Sequence, residues 1–184
     1  MICIFIAEGF EETEAVTPVD ILRRARHDVK MVGVGGKRIT SSHGITVECD
    51  MTEDELVLDE NIEMIILPGG LKGVENLEAS GTVARALDYC TAHDIFIGAI
   101  CAAPRIIGDK GIADGKKAVC YRGFEDRLKG AEVSYEPAVI DGKLITARGA
   151  GVSVDFALKL VEALDSKALA DEIADKVMIP KDRY

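Results

Sequence analysis

"IFIGAICAAP", residues 95–104, decides the fold. Its first six residues are continuously apolar, as in a strand covered on both faces of a sheet. From Cys101 onward, "CAAPRIIGDKG" reads as helix. A buried strand that turns at once into a helix is the repeating unit of an α/β fold. The same alternation extends outward in both directions. Residues 2–7 read as a strand, and residues 13–26 as a helix with Ala15, Val16, Val19 and Leu22 on one face. Pro18 falls inside that helix, so it must occupy the first turn or bend it. Residues 29–34 form a second strand closed by Gly35-Gly36, and residues 45–49 a short edge strand.

"EMIILPGG" (63–70) is a buried strand that runs into a Pro-Gly-Gly loop. Ser80 reads as the N-cap of a helix with Val83, Leu87 and Cys90 inward. Asp141-Gly142 marks a hairpin. Ser153 is expected to cap a long helix burying Val154, Ala157, Leu158, Val161 and Leu164. A last helix spans 166–177, with Leu169 and Ile173 on one face. Neither a repeat nor a linker interrupts the pattern, so residues 1–184 are expected to form one domain.

The chain is 48% hydrophobic and 29% charged, which are globular values. Its net charge of -10, with basic residues no more clustered than Arg23-Arg24 and Lys116-Lys117, argues against a general nucleic-acid or anionic-membrane surface. It leaves room only for a local basic spot holding a small anion. "MICIFIA" (1–7) has no basic flank and meets Glu8 at once. A membrane helix needs roughly 20 apolar residues, so this segment is a buried strand and the expected location is cytoplasmic. Cys3, Cys49, Cys90, Cys101 and Cys120 are widely spread with no C-x-x-C, and the three histidines lack zinc-ligand spacing. Reduced thiols, no metal and no cofactor are expected.

In sheets covered on both faces, ligands bind beyond the carboxyl ends of the strands. Three loops leave those ends: "AEGFEETE" (7–14), "LPGG" (67–70) and "CAAP" (101–104). Cys101 stands where strand turns into helix, with Gly98, Ala99, Ala102 and Ala103 relieving the crowding. That is the logic of a nucleophile elbow, although G-x-S-x-G itself is absent. A helix start there is expected to lower the thiol pKa. One carboxyl of "EGFEETE" placed against the thiol can carry a proton, its pKa raised by burial and by repulsion. Spacing does not select which glutamate. The backbone N–H groups of Gly69, Gly70 and Ala102 are candidate oxyanion donors. "GVGG" (33–36) lacks the rest of a dinucleotide fingerprint. "RGAGVS" (148–153) opens a helix and offers a place for an anion, but helix entry calls for glycine often enough that the structural role is the expected one.

Together, "AEGFEETEAVTPVDILRRA", "IILPGG", "GAICAAP" and "ITARGAGVS…FALKLVEAL" resemble the ThiJ/PfpI family, also called the DJ-one superfamily, and most closely its parkinsonism-associated deglycase branch. The likeness runs from the first strand to about residue 165. It implies a flavodoxin-like three-layer α/β sandwich, class I glutamine amidotransferase-like, with a mostly parallel sheet and helices on both faces, assembled as a homodimer. The family's reactive cysteine falls on Cys101 and its partner glutamate on Glu14. Its oxyanion donors fall on Gly69, Gly70 and Ala102, and an anion-holding arginine on Arg24. Family peptidases carry histidine directly after the cysteine, where this chain has Ala102, which argues against proteolysis. The deglycase branch often has a histidine where this chain has Tyr121, a much poorer base near pH 7.

The resemblance implies a cofactor-independent glyoxalase or deglycase acting on methylglyoxal, glyoxal or their early adducts. The alternative it carries is a redox sensor or redox-activated chaperone using the same thiol, which would climb the cysteine oxidation ladder.

Overall fold

Strand alternation explains the layering. Every residue of Ile2–Ala7 is buried. Ile2, Ile4 and Ile6 enter one apolar cluster, and Cys3, Phe5 and Ala7 enter another on the opposite side. Each of the larger side chains contributes about 1.5–3 kcal/mol of burial. A strand that feeds two cores must lie in the middle of a sheet with helices on both faces.

The structure, a computed structural model, describes residues 1–180. In chain order the elements are β1 (Ile2–Ala7), α1 (Glu12–Arg24), β2 (Val29–Val34), β3 (Arg38–Thr40), β4 (Thr46–Glu48), β5 (Met51–Thr52), β6 (Met64–Leu67), α2 (Leu71–Ala79) and α3 (Gly81–Ala92). They continue with β7 (Phe96–Ile100), α4 (Pro104–Asp109), β8 (Lys117–Ala118), β9 (Glu132–Val133), β10 (Ala138–Asp141), β11 (Leu144–Ala147), α5 (Ser153–Leu164) and α6 (Lys167–Lys176). Seven strands form the sheet in the order β10-β11-β7-β6-β1-β2-β5. All neighbours are parallel except the β10–β11 hairpin, which turns at Asp141-Gly142. Apolar residues of α1, α5 and α6 cover one face, and those of α2, α3 and α4 cover the other. This is the flavodoxin-like three-layer sandwich. Among the described residues no helix is long and apolar enough to cross a membrane.

Several local expectations change. In α1 the buried face is Glu14, Ala15, Pro18, Val19, Ile21 and Leu22, whereas Val16 is exposed. Pro18 sits mid-helix and not in the first turn. Lacking an N–H, it cannot bond the Glu14 carbonyl one turn back. The segment 46–48 does not edge the main sheet; it pairs with β3 in a separate hairpin. Ser153 begins α5, but its hydroxyl donates to the Ala150 carbonyl at 2.9 Å and does not accept from a helix N–H. Ser80 does cap α3, accepting from Val83 N–H at 3.2 Å. The "LPGG" turn leads straight into α2, a helix the sequence reading left out. Its Gly73 weakens the helical pattern, and contact explains the residue: a Cβ there would lie 2.8 Å from Phe10 Cα.

Candidate active site

β1, β6 and β7 lie side by side in the sheet, so the segments leaving their carboxyl ends converge. Cys101 follows β7 directly. Its φ is 65°, a left-handed conformation that costs a non-glycine residue of order 1 kcal/mol or more. Two backbone hydrogen bonds hold it there. Cys101 N–H donates to the Ala147 carbonyl at 2.9 Å, and Tyr121 N–H donates to the Cys101 carbonyl at 2.7 Å. The thiol is only partly exposed.

Glu14 comes from the first turn of α1, not from the loop before it, and is 0% exposed. Its Oε2 accepts from Gly69 N–H at 2.8 Å. Its Oε1 is buried without a hydrogen-bond partner. The carboxyl lies against the Cys101 thiol. Burial pushes Glu14 up to about 7, against the opposing pull of the thiol and the Gly69 N–H. An oxygen without a donor is the place for a carboxyl proton, which agrees with that direction.

The thiol shifts in the direction opposite to the sequence expectation. Cys101 is pushed up to about 12, first by burial and then by the Glu14 carboxylate, while the Ala102 and Gly70 N–H groups pull it down. The helix expected to lower it is short, and Cys101 precedes it by a three-residue turn. Removing the last proton of the pair would set two negative charges in contact within a buried site. The pair therefore holds a shared proton well into alkaline pH.

The glycines are explained by close approach. A Cβ on Gly69 would lie 2.3 Å from Glu14 Oε2 and 2.6 Å from Cys101 Cβ. Gly70 has φ 85°, and a Cβ there would lie 2.4 Å from the Gly9 carbonyl oxygen. Of the three candidate oxyanion donors, Gly70 and Ala102 direct their N–H groups to the Cys101 sulfur. Gly69 N–H is committed to Glu14 and is not free for a substrate oxygen. Gly149 also belongs to the site. A Cβ there would lie 3.7 Å from Cys101 Sγ, 3.7 Å from Glu14 Oε1 and 3.3 Å from the Tyr121 ring. The sequence reads "RGAGVS" as helix entry; what brings it to the thiol is that β11 lies beside β7, which sheet order and not local pattern decides.

Tyr121 stands at the rim with its ring half exposed, so its backbone N–H and not its phenol engages Cys101. Arg24 is not brought to the site. It lies ten residues beyond Glu14 on α1, about 15 Å along the axis, and pairs with Asp20 at 2.8 Å. Among the described residues, Glu11, Glu12 and His43 come close enough together to hold an ion. His43 Nδ1 lies 3.0 Å from Glu12 Oε1, so an ion pair already accounts for their proximity.

A buried proton-carrying carboxyl, a thiol and two converging N–H donors can add sulfur to an electrophilic carbon, stabilise the resulting oxyanion and move protons beside it. The chain is 34% identical over 181 residues to the Parkinson disease protein 7 homolog of Danio rerio, covering 96% of this chain and 94% of that one. It is also 34% identical to Protein DJ-1 homolog B of Arabidopsis thaliana, of whose length it spans 43%. A Caenorhabditis elegans protein named glutathione-independent glyoxalase DJR-1.2 is 26% identical, with 95% and 93% of the two chains covered. The solved structure of oxidized Toxoplasma gondii DJ-1 superposes with a TM-score of 0.91 at 31% identity, covering 96% of this chain and 97% of that one. Residues 1–163 match the DJ-1/PfpI family, and the chain belongs to that family.

Proposed function

We propose that this protein is a cysteine-dependent, cofactor-independent glyoxalase that converts methylglyoxal to lactate and glyoxal to glycolate, or acts on their early adducts. The observation that carries the reading is Glu14: a wholly buried carboxyl beside a thiol, with one oxygen unpartnered and a pKa near 7. The relative named a glutathione-independent glyoxalase supports the same substrate class.

The chemistry follows from these groups. Cys101 sulfur bonds to the aldehyde carbon as ionised Glu14 takes the thiol proton, so no free thiolate is needed at rest. The carbonyl electron pair moves to oxygen, which faces the Gly70 and Ala102 N–H groups and then receives the proton from Glu14. In the resulting hemithioacetal, Glu14 removes the proton from the former aldehyde carbon to give an enediol as the neighbouring ketone oxygen is protonated; Glu14 then returns its proton to the former ketone carbon, and the hydroxyl on the sulfur-bearing carbon gives up its proton as it becomes the thioester carbonyl. The product is a thioester of lactate. Water cleaves the carbon–sulfur bond, releases lactate and restores the thiol. Methylglyoxal plus water gives lactate, with no net oxidation. The protein works as a homodimer in the cytoplasm in this reading.

Purified protein incubated with methylglyoxal in the absence of glutathione should produce lactate. No turnover, or equal turnover by Cys101→Ser, removes the proposal.

A second reading, oxidation of Cys101 as a sensor or chaperone switch, draws on the same unpartnered Oε1. Protonated, it can donate to a sulfinate oxygen. Intact mass after mild peroxide distinguishes it: two added oxygens on Cys101, lost in Glu14→Gln, support it, and oxidation scattered over all five cysteines counts against it.

A further inference from the structure

At the other end of the sheet, a cleft of about 490 Å³ opens where β7 and β11 begin. Its floor is Cys90, Ile97 and Leu144, none more than 3% exposed. Phe96 and Ile112 form walls, and Lys116 and Lys143 stand among the lining residues. The volume lies within the range of small-molecule sites. Lys143 Nζ sits 3.8 Å above the Phe96 ring and 4.0 Å from Asp94, whose carboxylate is largely in water. Lys116 leans on the hairpin turn, its Nζ 3.7 Å from where a Gly142 Cβ would stand. No carboxylate pairs with Lys116 among the described residues, whereas Lys30, Lys72, Lys110, Lys117, Lys159, Lys167 and Lys176 all have partners.

An unpaired amine over an apolar floor, in a chain of net charge -10, is a local reversal of the molecule's field. We infer that this cleft binds a small carboxylate carried on an apolar body. The body lies on Ile97, Ile112 and Leu144, and the carboxylate faces Lys116 and Lys143. The amines reject a cationic head, and a neutral head leaves Lys116 without a partner. Phe96 and Ile100 are separated by the length of β7, about 13 Å, so a ligand here does not reach the thiol. The site is therefore independent of the glyoxalase reading.

Titration of the whole protein with octanoate, followed by amide resonances, tests this. Octanol and octylammonium serve as matched probes. Saturable shifts should centre on Thr91, Ile112, Gly142 and Leu144, with octanoate bound at least about tenfold tighter than either control. Lys116→Glu should weaken octanoate about tenfold and Lys116→Gln by less, with the remaining amide spectrum unchanged as the check on folding. Equal binding of octanol, shifts centred on Gly69 to Ala102, unaltered affinity in Lys116→Glu, or no saturable binding would each overturn the inference.

Discussion

Cys90, in α3, and Cys101, just past β7, are two thiols beside one sheet, and both are pushed up to about 12. The causes differ. Cys90 is raised by burial, with a smaller contribution from Cys3; it sits inside α3, 0% exposed, in an apolar cluster. Cys101 is raised by burial and by a carboxylate that can itself accept the proton. The Cys90 thiol has no carboxylate among the groups that shift it. The other is protonated at rest yet stands beside its base, with two N–H groups aimed at the sulfur. Reactivity at this end of the sheet belongs to the Glu14–Cys101 pair and not to the thiol alone.

Removing the base strikes that contrast hardest. Glu14→Gln should lower glyoxalase kcat/KM by about 10²–10⁴-fold. In the wild type kcat/KM should rise with pH through about 7 as Glu14 ionises, and the variant should lose that rise. Lactate formation across a pH series checks both. A variant that keeps both the rate and the profile would make Cys101 no more assisted than Cys90.

Gly69→Ala should come next. The added Cβ meets Glu14 Oε2 and Cys101 Cβ and forces the pair apart. About 10²-fold loss of turnover is expected with a folded far-ultraviolet spectrum, and a stability cost of about 1–3 kcal/mol by denaturant titration.

The pH dependence of stability sharpens the same point. The folded state holds the Glu14 proton more tightly than the unfolded chain, with a pKa raised from 4.5 to about 7. The associated stability is fully present below about pH 4.5 and is lost as pH rises through about 7, about 3 kcal/mol in all. Urea titrations of wild type and Glu14→Gln from pH 4 to 9 should show the difference between them changing in that window. Parallel curves would place the titration elsewhere.

Cys90→Ala is the mild counterpart. It should cost about 1 kcal/mol, a fall in Tm of about 2–4 °C, through the small void left under α3. Lactate formation should be unchanged. A loss of turnover would erase the distinction between the two cysteines.

Much of this was legible in the residues. Apolar runs at 2–7, 64–67 and 95–100 announced strands buried on both faces, and Ser80 and Asp141-Gly142 marked a cap and a hairpin that the structure contains. Glu14 was partly legible. Extending the α1 face one turn back from Pro18 reaches Glu14, but a glutamate on an apolar face reads as a break in the pattern, and Val16 was the more natural member. The direction of the Cys101 shift was not legible, because it depends first on how deeply the thiol is buried and then on a carboxyl 87 positions earlier in the chain. Nor was the commitment of the Gly69 N–H to Glu14, or the approach of Gly149.

By itself, then, the sequence determined the layered α/β fold and the convergence of three loops, because hydrophobic period and turn chemistry are local properties of the chain. Only the tertiary structure decided which glutamate meets Cys101, which N–H groups remain for an oxyanion, and that Arg24 faces water beside Asp20. Those outcomes turn on placements good to about an ångström between residues tens of positions apart, and no local pattern carries a distance of that kind.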